Sequence, residues 1–175
     1  MNFRVKFIII IVSVFFLQSC IDLGLYVSEI PLSESDRTCI DPRITGVWEM
    51  IKKDDEEKTK LIEFIEFNEH EYVLRIKDDS IAGIARVFIT KTGKNRFLNV
   101  QDLSDKKRDY IFCRYRISKS DELKLEFIED TLFKDKKFTS EKKLRKFIIR
   151  NSKNSLLFHK ELSFTFRKIN VGKNG

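Results

Sequence analysis

Tyr110-Ile111-Phe112-Cys113-Arg114-Tyr115-Arg116-Ile117-Ser118, followed after a polar break by Glu122-Leu123-Lys124-Leu125-Glu126-Phe127-Ile128, is the stretch whose reading decides the fold. Side chains of an extended chain alternate between two faces, so Ile111, Cys113, Tyr115 and Ile117 share one side while Arg114 and Arg116 share the other. Leu123, Leu125 and Phe127 repeat the pattern. Two strands follow, each with one buried face, and Cys113 points inward.

Working outward, the same period recurs. Gly46 to Ile51 and Leu61 to Phe67 read as strands, Asn68-Glu69 breaks the run, and His70 to Lys77 alternates Tyr72, Leu74 and Ile76 with Val73, Arg75 and Lys77. Ile81 to Lys91 is a longer run in which Gly83 fits a bulge or bend, and Thr92-Gly93-Lys94-Asn95 turns it into Arg96 to Gln101. After residue 128 the period changes. Ser140 is suited to cap a helix in which Leu144, Phe147 and Ile148 share a face, ending near Asn151, and Leu162 to Ile169 resumes strand character with Phe164 and Phe166 on one side. The count is eight strands and one helix. Eight antiparallel strands can close into a barrel with room for one small ligand; a strongly curved open sheet wrapped on the helix is the competing arrangement.

Composition agrees with one folded unit. At 175 residues the chain suits a single domain, and 42% hydrophobic content with 16 Phe, 6 Gly and 2 Pro excludes a disordered or collagen-like chain. The 34 basic and 27 acidic residues are interleaved through most of the sequence, so nothing demands nucleic acid as a partner. One region departs from this mixture: between residues 134 and 153, nine Lys and Arg face only Asp135 and Glu141. A solvated helix face accounts for such a run, and an anionic membrane surface would attract it.

The N-terminus carries an address. Arg4 and Lys6 precede an apolar run from Phe7 to Leu17, too short to span a bilayer, and Leu17-Gln18-Ser19-Cys20 resembles the bacterial lipobox, with cleavage before Cys20. In proteins of that class the cysteine thiol is diacylglycerylated and its freed amine is often acylated, by palmitate-type chains, which implies that Cys20 is the lipid attachment site. The expected organisation is a signal peptide over 1–19, a lipidated Cys20 with a spacer to 38, a β domain over 39–171 and a short tail over 172–175. Ile21 stands where an Asp would favour inner-membrane retention, so an outer-membrane location is expected if the envelope has two membranes. Export also permits disulfides. Pairing of Cys39 with Cys113 is the simplest arrangement, with two buried free thiols as the alternative; neither His70 nor His159 lies at metal-ligand spacing from either.

Gly46-Val47-Trp48 at the first strand, a seven-strand meander, a helix and a last strand containing Arg167 together resemble the lipocalin-like pattern. There G-x-W opens the first barrel strand and a basic residue near the chain end lies across the indole. By this resemblance Gly46, Trp48 and Arg167 close one end of the barrel, with Lys168 as the alternative cation. The ending Thr139-Ser140-Glu141 to Phe147-Ile148, continued by Phe164-Thr165-Phe166-Arg167, is similar to that of bacterial lipocalin-like lipoproteins without a known ligand, over roughly residues 42–169.

No G-x-S-x-G, H-E-x-x-H, C-x-x-C, P-loop or G-x-G-x-x-G is present. His70 beside a turn and His159 read as exposed or structural, and Glu63, Glu66, Glu126 and Glu129 as solvated charge. The expectation is therefore no catalytic residues, no metal and no cofactor. Two function classes remain: a membrane-anchored, non-catalytic barrel that binds a small apolar ligand, or a solid barrel that engages another envelope protein as inhibitor, adhesin or assembly factor.

Overall fold

In the computed structural model, residues 23–51, 60–77, 82–103 and 106–169 are described, so the expected signal peptide over 1–19, Cys20 and the expected tail over 172–175 lie outside the described residues. Among the described residues nine strands occur in the order β1 (Val27–Ser28), β2 (Gly46–Met50), β3 (Leu61–Glu66), β4 (Glu71–Lys77), β5 (Ala82–Thr92), β6 (Asn95–Asp102), β7 (Tyr110–Ile117), β8 (Glu122–Ile128) and β9 (Phe158–Ile169). The one α-helix among the described residues, α1 (Glu141–Asn151), precedes β9. Each of β2 to β8 pairs antiparallel with its successor, and β9 pairs back onto β2, from Val47 opposite Ile169 to Met50 opposite Phe166. The result is a closed eight-strand antiparallel barrel, as the alternation predicts, with β1 as a short extra strand beside β7.

Local chemistry sets the turns. Thr92 lies opposite Asn95, leaving a two-residue loop in which Gly93 takes φ +59°, a conformation other residues adopt at a cost. At the β3–β4 turn, Asn68 Oδ1 accepts from the amides of His70 and Glu71 at 2.8 and 2.9 Å. Ser118 Oγ does the same for Ser120 and Glu122 between β7 and β8. Ser140 caps α1 by accepting from the Lys143 amide.

The inward residues of all eight barrel strands form one apolar cluster, from Trp48, Phe64 and Tyr72 round to Tyr115, Leu125 and Phe166. A second cluster lies outside the wall. Phe97, Phe112 and Ile128 face outward from β6, β7 and β8 and are covered by Phe133, Leu144, Ile148 and Leu157 of the helical connection. Beneath the helix, Arg114 binds Glu126 at 2.8 Å and its guanidinium lies 3.7 Å from the centre of the Phe158 ring.

The expected spacer is corrected over residues 23–38, which pack on the barrel. Leu25 is buried inside it, and the Tyr26 amide donates to the Ile128 carbonyl at 3.0 Å. The segment then crosses the outer face of the wall: the Leu32 amide donates to Asn99 Oδ1 at 2.8 Å, Ser33 Oγ meets Thr90 Oγ1 at 2.6 Å, and Ser35 Oγ accepts from Arg86 at 3.0 Å. Its contacts come from single anchoring residues on a curved surface, which is why no periodicity marks it. Leu32 is fully buried. Leu32→Ala should destabilise the domain by about 2–5 kcal/mol, read by urea unfolding, whereas an unattached spacer would show no change.

Candidate functional site

In an antiparallel barrel alternate ends are built from alternate turns. The start of β2, the β3–β4, β5–β6 and β7–β8 turns and the end of β9 share one end, and residues 38–45 run across it. The Ile40 amide donates to the Glu69 carbonyl at 3.2 Å, and the Thr38 carbonyl meets His70 Nδ1. Ile44 is fully buried against the inner cluster.

Asp41 holds this crossing in place. Its carboxylate accepts from Arg43 Nε at 2.9 Å and Nη2 at 2.7 Å, from Arg96, and from the Tyr115 hydroxyl at 3.2 Å. Its main chain is bonded as well: the Tyr72 hydroxyl donates to the Asp41 carbonyl at 3.1 Å and accepts from the Asp41 amide. The hydrogen bonds from Arg43 hold the Asp41 carboxyl down at about 2 against the opposing effect of burial. Burial pushes the Tyr72 and Tyr115 hydroxyls well above the ordinary tyrosine range, so both act as neutral hydrogen-bonding groups.

Trp48 fills the barrel just inside this end. It is fully buried, and its Nε1 donates to the Ile44 carbonyl at 2.7 Å. The expected cation over the indole is present but is Lys168, whose Nζ lies 5.3 Å from the ring centre and donates to the Arg43 carbonyl at 3.0 Å. Arg167 is corrected: it is exposed on the outer face, opposite Glu49 and Glu122. Parity carries the missed signal, because Lys168 shares the face of Phe164 and Phe166 and lies in register with Trp48. Gly46 sits at φ +112°, and a Cβ there would approach Lys168 Cε to 3.5 Å, so backbone conformation is what requires glycine.

The proposed Cys39–Cys113 disulfide is overturned, because both thiols are free. Cys113 faces the interior between Leu98 and Phe127 on the neighbouring strands, whereas Cys39 is exposed beside Ile40, which packs on the core. Alternation in the crossing segment thus turns Cys39 away from the barrel. Burial pushes the Cys113 thiol far above its usual range and makes it unreactive.

His70 is half-buried by its contact with Thr38, and His159 Nδ1 accepts from the Glu161 and Leu162 amides at 3.2 Å, so both histidines serve the backbone. Glu63 pairs with Arg75, and Glu126 binds Arg114 beneath the helix, where it is mostly buried, in contrast to the solvated charge expected there. Among the described residues no group of three or more His, Cys, Asp or Glu is placed to hold a metal ion. At the opposite end, Lys60 precedes β3 with its side chain buried and its Nζ without a hydrogen-bond partner among the described residues.

Comparison with protein-family models, curated proteins and solved structures finds no match.

Two measurements check this end of the barrel. The Asp41 carboxyl is more acidic in the folded than in the unfolded chain. Its contribution to stability is therefore present above about pH 4 and is lost as pH falls through about 2, near its folded value. Asp41→Asn should cost about 1–3 kcal/mol at neutral pH and flatten the stability profile across that acid window. Lys168→Met should lower stability by about 0.5–2 kcal/mol and shift the emission of Trp48, while Arg167→Met leaves that emission unchanged.

Proposed function

We propose that this protein is a lipid-anchored, non-catalytic β-barrel of the bacterial envelope that binds a small apolar ligand in its interior. The closed barrel with a predominantly apolar inner face supports this reading, because inward side chains of that kind would present a water-excluded surface to an aliphatic molecule. The lipobox-like sequence at Cys20 supports the anchor, with the outer membrane favoured in an envelope of two membranes.

The path of the chain fits a short tether. The described residues begin at Leu23, three positions after Cys20, and the next residue, Gly24, accepts through its carbonyl from the Asp130 amide at 2.9 Å. The basic stretch Lys134, Lys136 and Lys137 follows directly, and Phe133 beside it stacks on Tyr26 at 3.7 Å. An anchor at Cys20 would therefore bring these cations near the lipid surface, where each can add about 1 kcal/mol against anionic headgroups. Among the described residues no helix is long and apolar enough to cross a membrane.

A second reading, contact with another envelope protein, is favoured by Ile65, Phe67 and Ile84, which are exposed on β3, just beyond it, and on β5; Phe67 is 69% exposed. Lipid extraction and native mass spectrometry of the purified full chain separate the two. A bound aliphatic molecule is expected; an empty barrel that captures a defined envelope protein through Phe67, and loses it in Phe67→Ser, would favour the second. For the anchor, the wild-type chain should incorporate labelled fatty acid and sediment with membranes, and Cys20→Ala should do neither; unlabelled, soluble wild-type protein overturns it.

A further inference from the structure

From residue 142 to residue 153 the chain carries six cations, Lys142, Lys143, Arg145, Lys146, Arg150 and Lys153, and no acid. Leu144 and Ile148 turn α1 onto the second cluster, with Phe147 partly buried beside them, so the opposite face of the helix is open to water. Residues three and four apart are neighbours on a helix, which places Ile149 in the middle of that open face, beside Arg145 and Lys146 and with Lys153 one turn on. Ile149 is 45% exposed, and Leu156, in the short turn that follows the helix, is 46% exposed.

Elsewhere on the outer wall, opposite charges meet: Glu63 binds Arg75, Glu71 binds Arg86, and Glu126 receives Arg114, Arg116 and Lys124. On α1 they do not. Among the described residues none of the six cations forms a salt bridge with a carboxylate, and the acid that opens the helix, Glu141, is bound to Arg37 at 3.3 Å. Lys142 with Lys146, and Lys146 with Arg150, are like-charge pairs at a spacing that weakens an isolated helix. A positive face with an exposed isoleucine at its centre complements a surface that is anionic outside and apolar just beneath, which is the chemistry of a bilayer with anionic headgroups.

The chain leaves toward Cys20 beside the same helix. Tyr26 stacks on Phe133 with ring centres 3.7 Å apart, and Phe133 meets Phe147 of α1 at 5.0 Å. Cys20 precedes Tyr26 by six residues, so an extended tether reaches at most about 20 Å, comparable to the length of α1, about 16 Å. We infer that α1 is an interfacial helix whose outward face docks on an anionic lipid bilayer, with its cations at the headgroups and Ile149 and Leu156 at the acyl boundary, and that this contact holds the barrel in one orientation on the membrane. The inference rests on the lipid-anchor part of the reading above and adds a second, non-covalent contact to it.

The full chain, matured in a lipoprotein-processing host, is inserted by its lipid into vesicles of phosphatidylcholine with or without phosphatidylglycerol. Ile149→Cys is labelled with the polarity-sensitive fluorophore NBD in a Cys39→Ser background, because Cys39 is exposed and Cys113 is buried. The emission should shift to the blue in vesicles that contain phosphatidylglycerol and not in phosphatidylcholine alone, and the shift should be lost in about 1 M salt, where the screening length falls to about 3 Å. Combining Lys142→Gln, Lys146→Gln and Arg150→Gln should abolish the shift in a protein that melts no lower than its parent. A label on Phe67→Cys, at the Asp41 end of the barrel, should stay in water. An anchored chain whose Ile149 label ignores phosphatidylglycerol, whose shift persists in the triple variant, or whose Phe67 label responds equally overturns the docking face and leaves the anchor standing. A label that responds to polyglutamate and not to vesicles overturns it in favour of an acidic protein partner. A chain that acquires no lipid on Cys20 overturns the anchor and this inference together.

Discussion

The seam between β2 and β9 is the contact on which the rest of the molecule depends. It joins the first and last barrel strands, and without it the inner face would be one side of an open sheet. Closure removes both sheet edges and gives every inward side chain partners across the barrel as well as along its own strand. It also sets Trp48 directly opposite Lys168, so the same register that seals the wall seats the indole and its cation. Because the seam joins distant parts of the chain, its loop-closure entropy is recovered only when the intervening meander is in place.

The outer face obeys a different constraint. In β6 every residue from Phe97 to Asp102 is buried, which a simple in-out alternation does not allow. The reason is that β6 and β7 are covered twice, by the helical connection and by residues 23–38, so their outward positions carry Phe97, Asn99 and Phe112. Asn99 shows the consequence for a polar group in such a layer: it accepts from Leu32 and donates to Phe88 and Thr90, leaving its amide satisfied. The covering segments are integral to the domain because they bury outward aromatic residues that would otherwise face water.

Much of this was legible in the sequence, and the exceptions have physical causes. Strict alternation in residues 110–128 and 70–77 exposed the strands, and Ser140 followed by Leu144 and Ile148 exposed the helix. Residues 23–38 were opaque because isolated anchors such as Leu25 and Leu32 leave no period. Two cysteines in a chain expected to be exported suggested a bond, yet pairing depends on which way each side chain points. Cys113 is fixed by its strand, whereas Cys39 is oriented by a crossing segment whose geometry is set by Asp41, a tertiary feature with no local signature. The choice between Arg167 and Lys168 needed only the parity of β9 with Phe164 and Phe166, provided that strand was read as facing inward at those two residues.

The two ends of the barrel treat buried polarity in opposite ways. At one, Asp41 meets two arginines and a tyrosine through its carboxylate and a second tyrosine through its main chain, so charge and hydrogen-bonding capacity are consumed internally. At the other, the Lys60 side chain is held inward by the ladder, and its Nζ has no hydrogen-bond partner among the described residues. The two ends therefore differ in hydrogen-bond saturation: the Asp41 clamp is satisfied within the chain and ties residues 38–45 to the wall, and Lys60 adds nothing comparable to the fold.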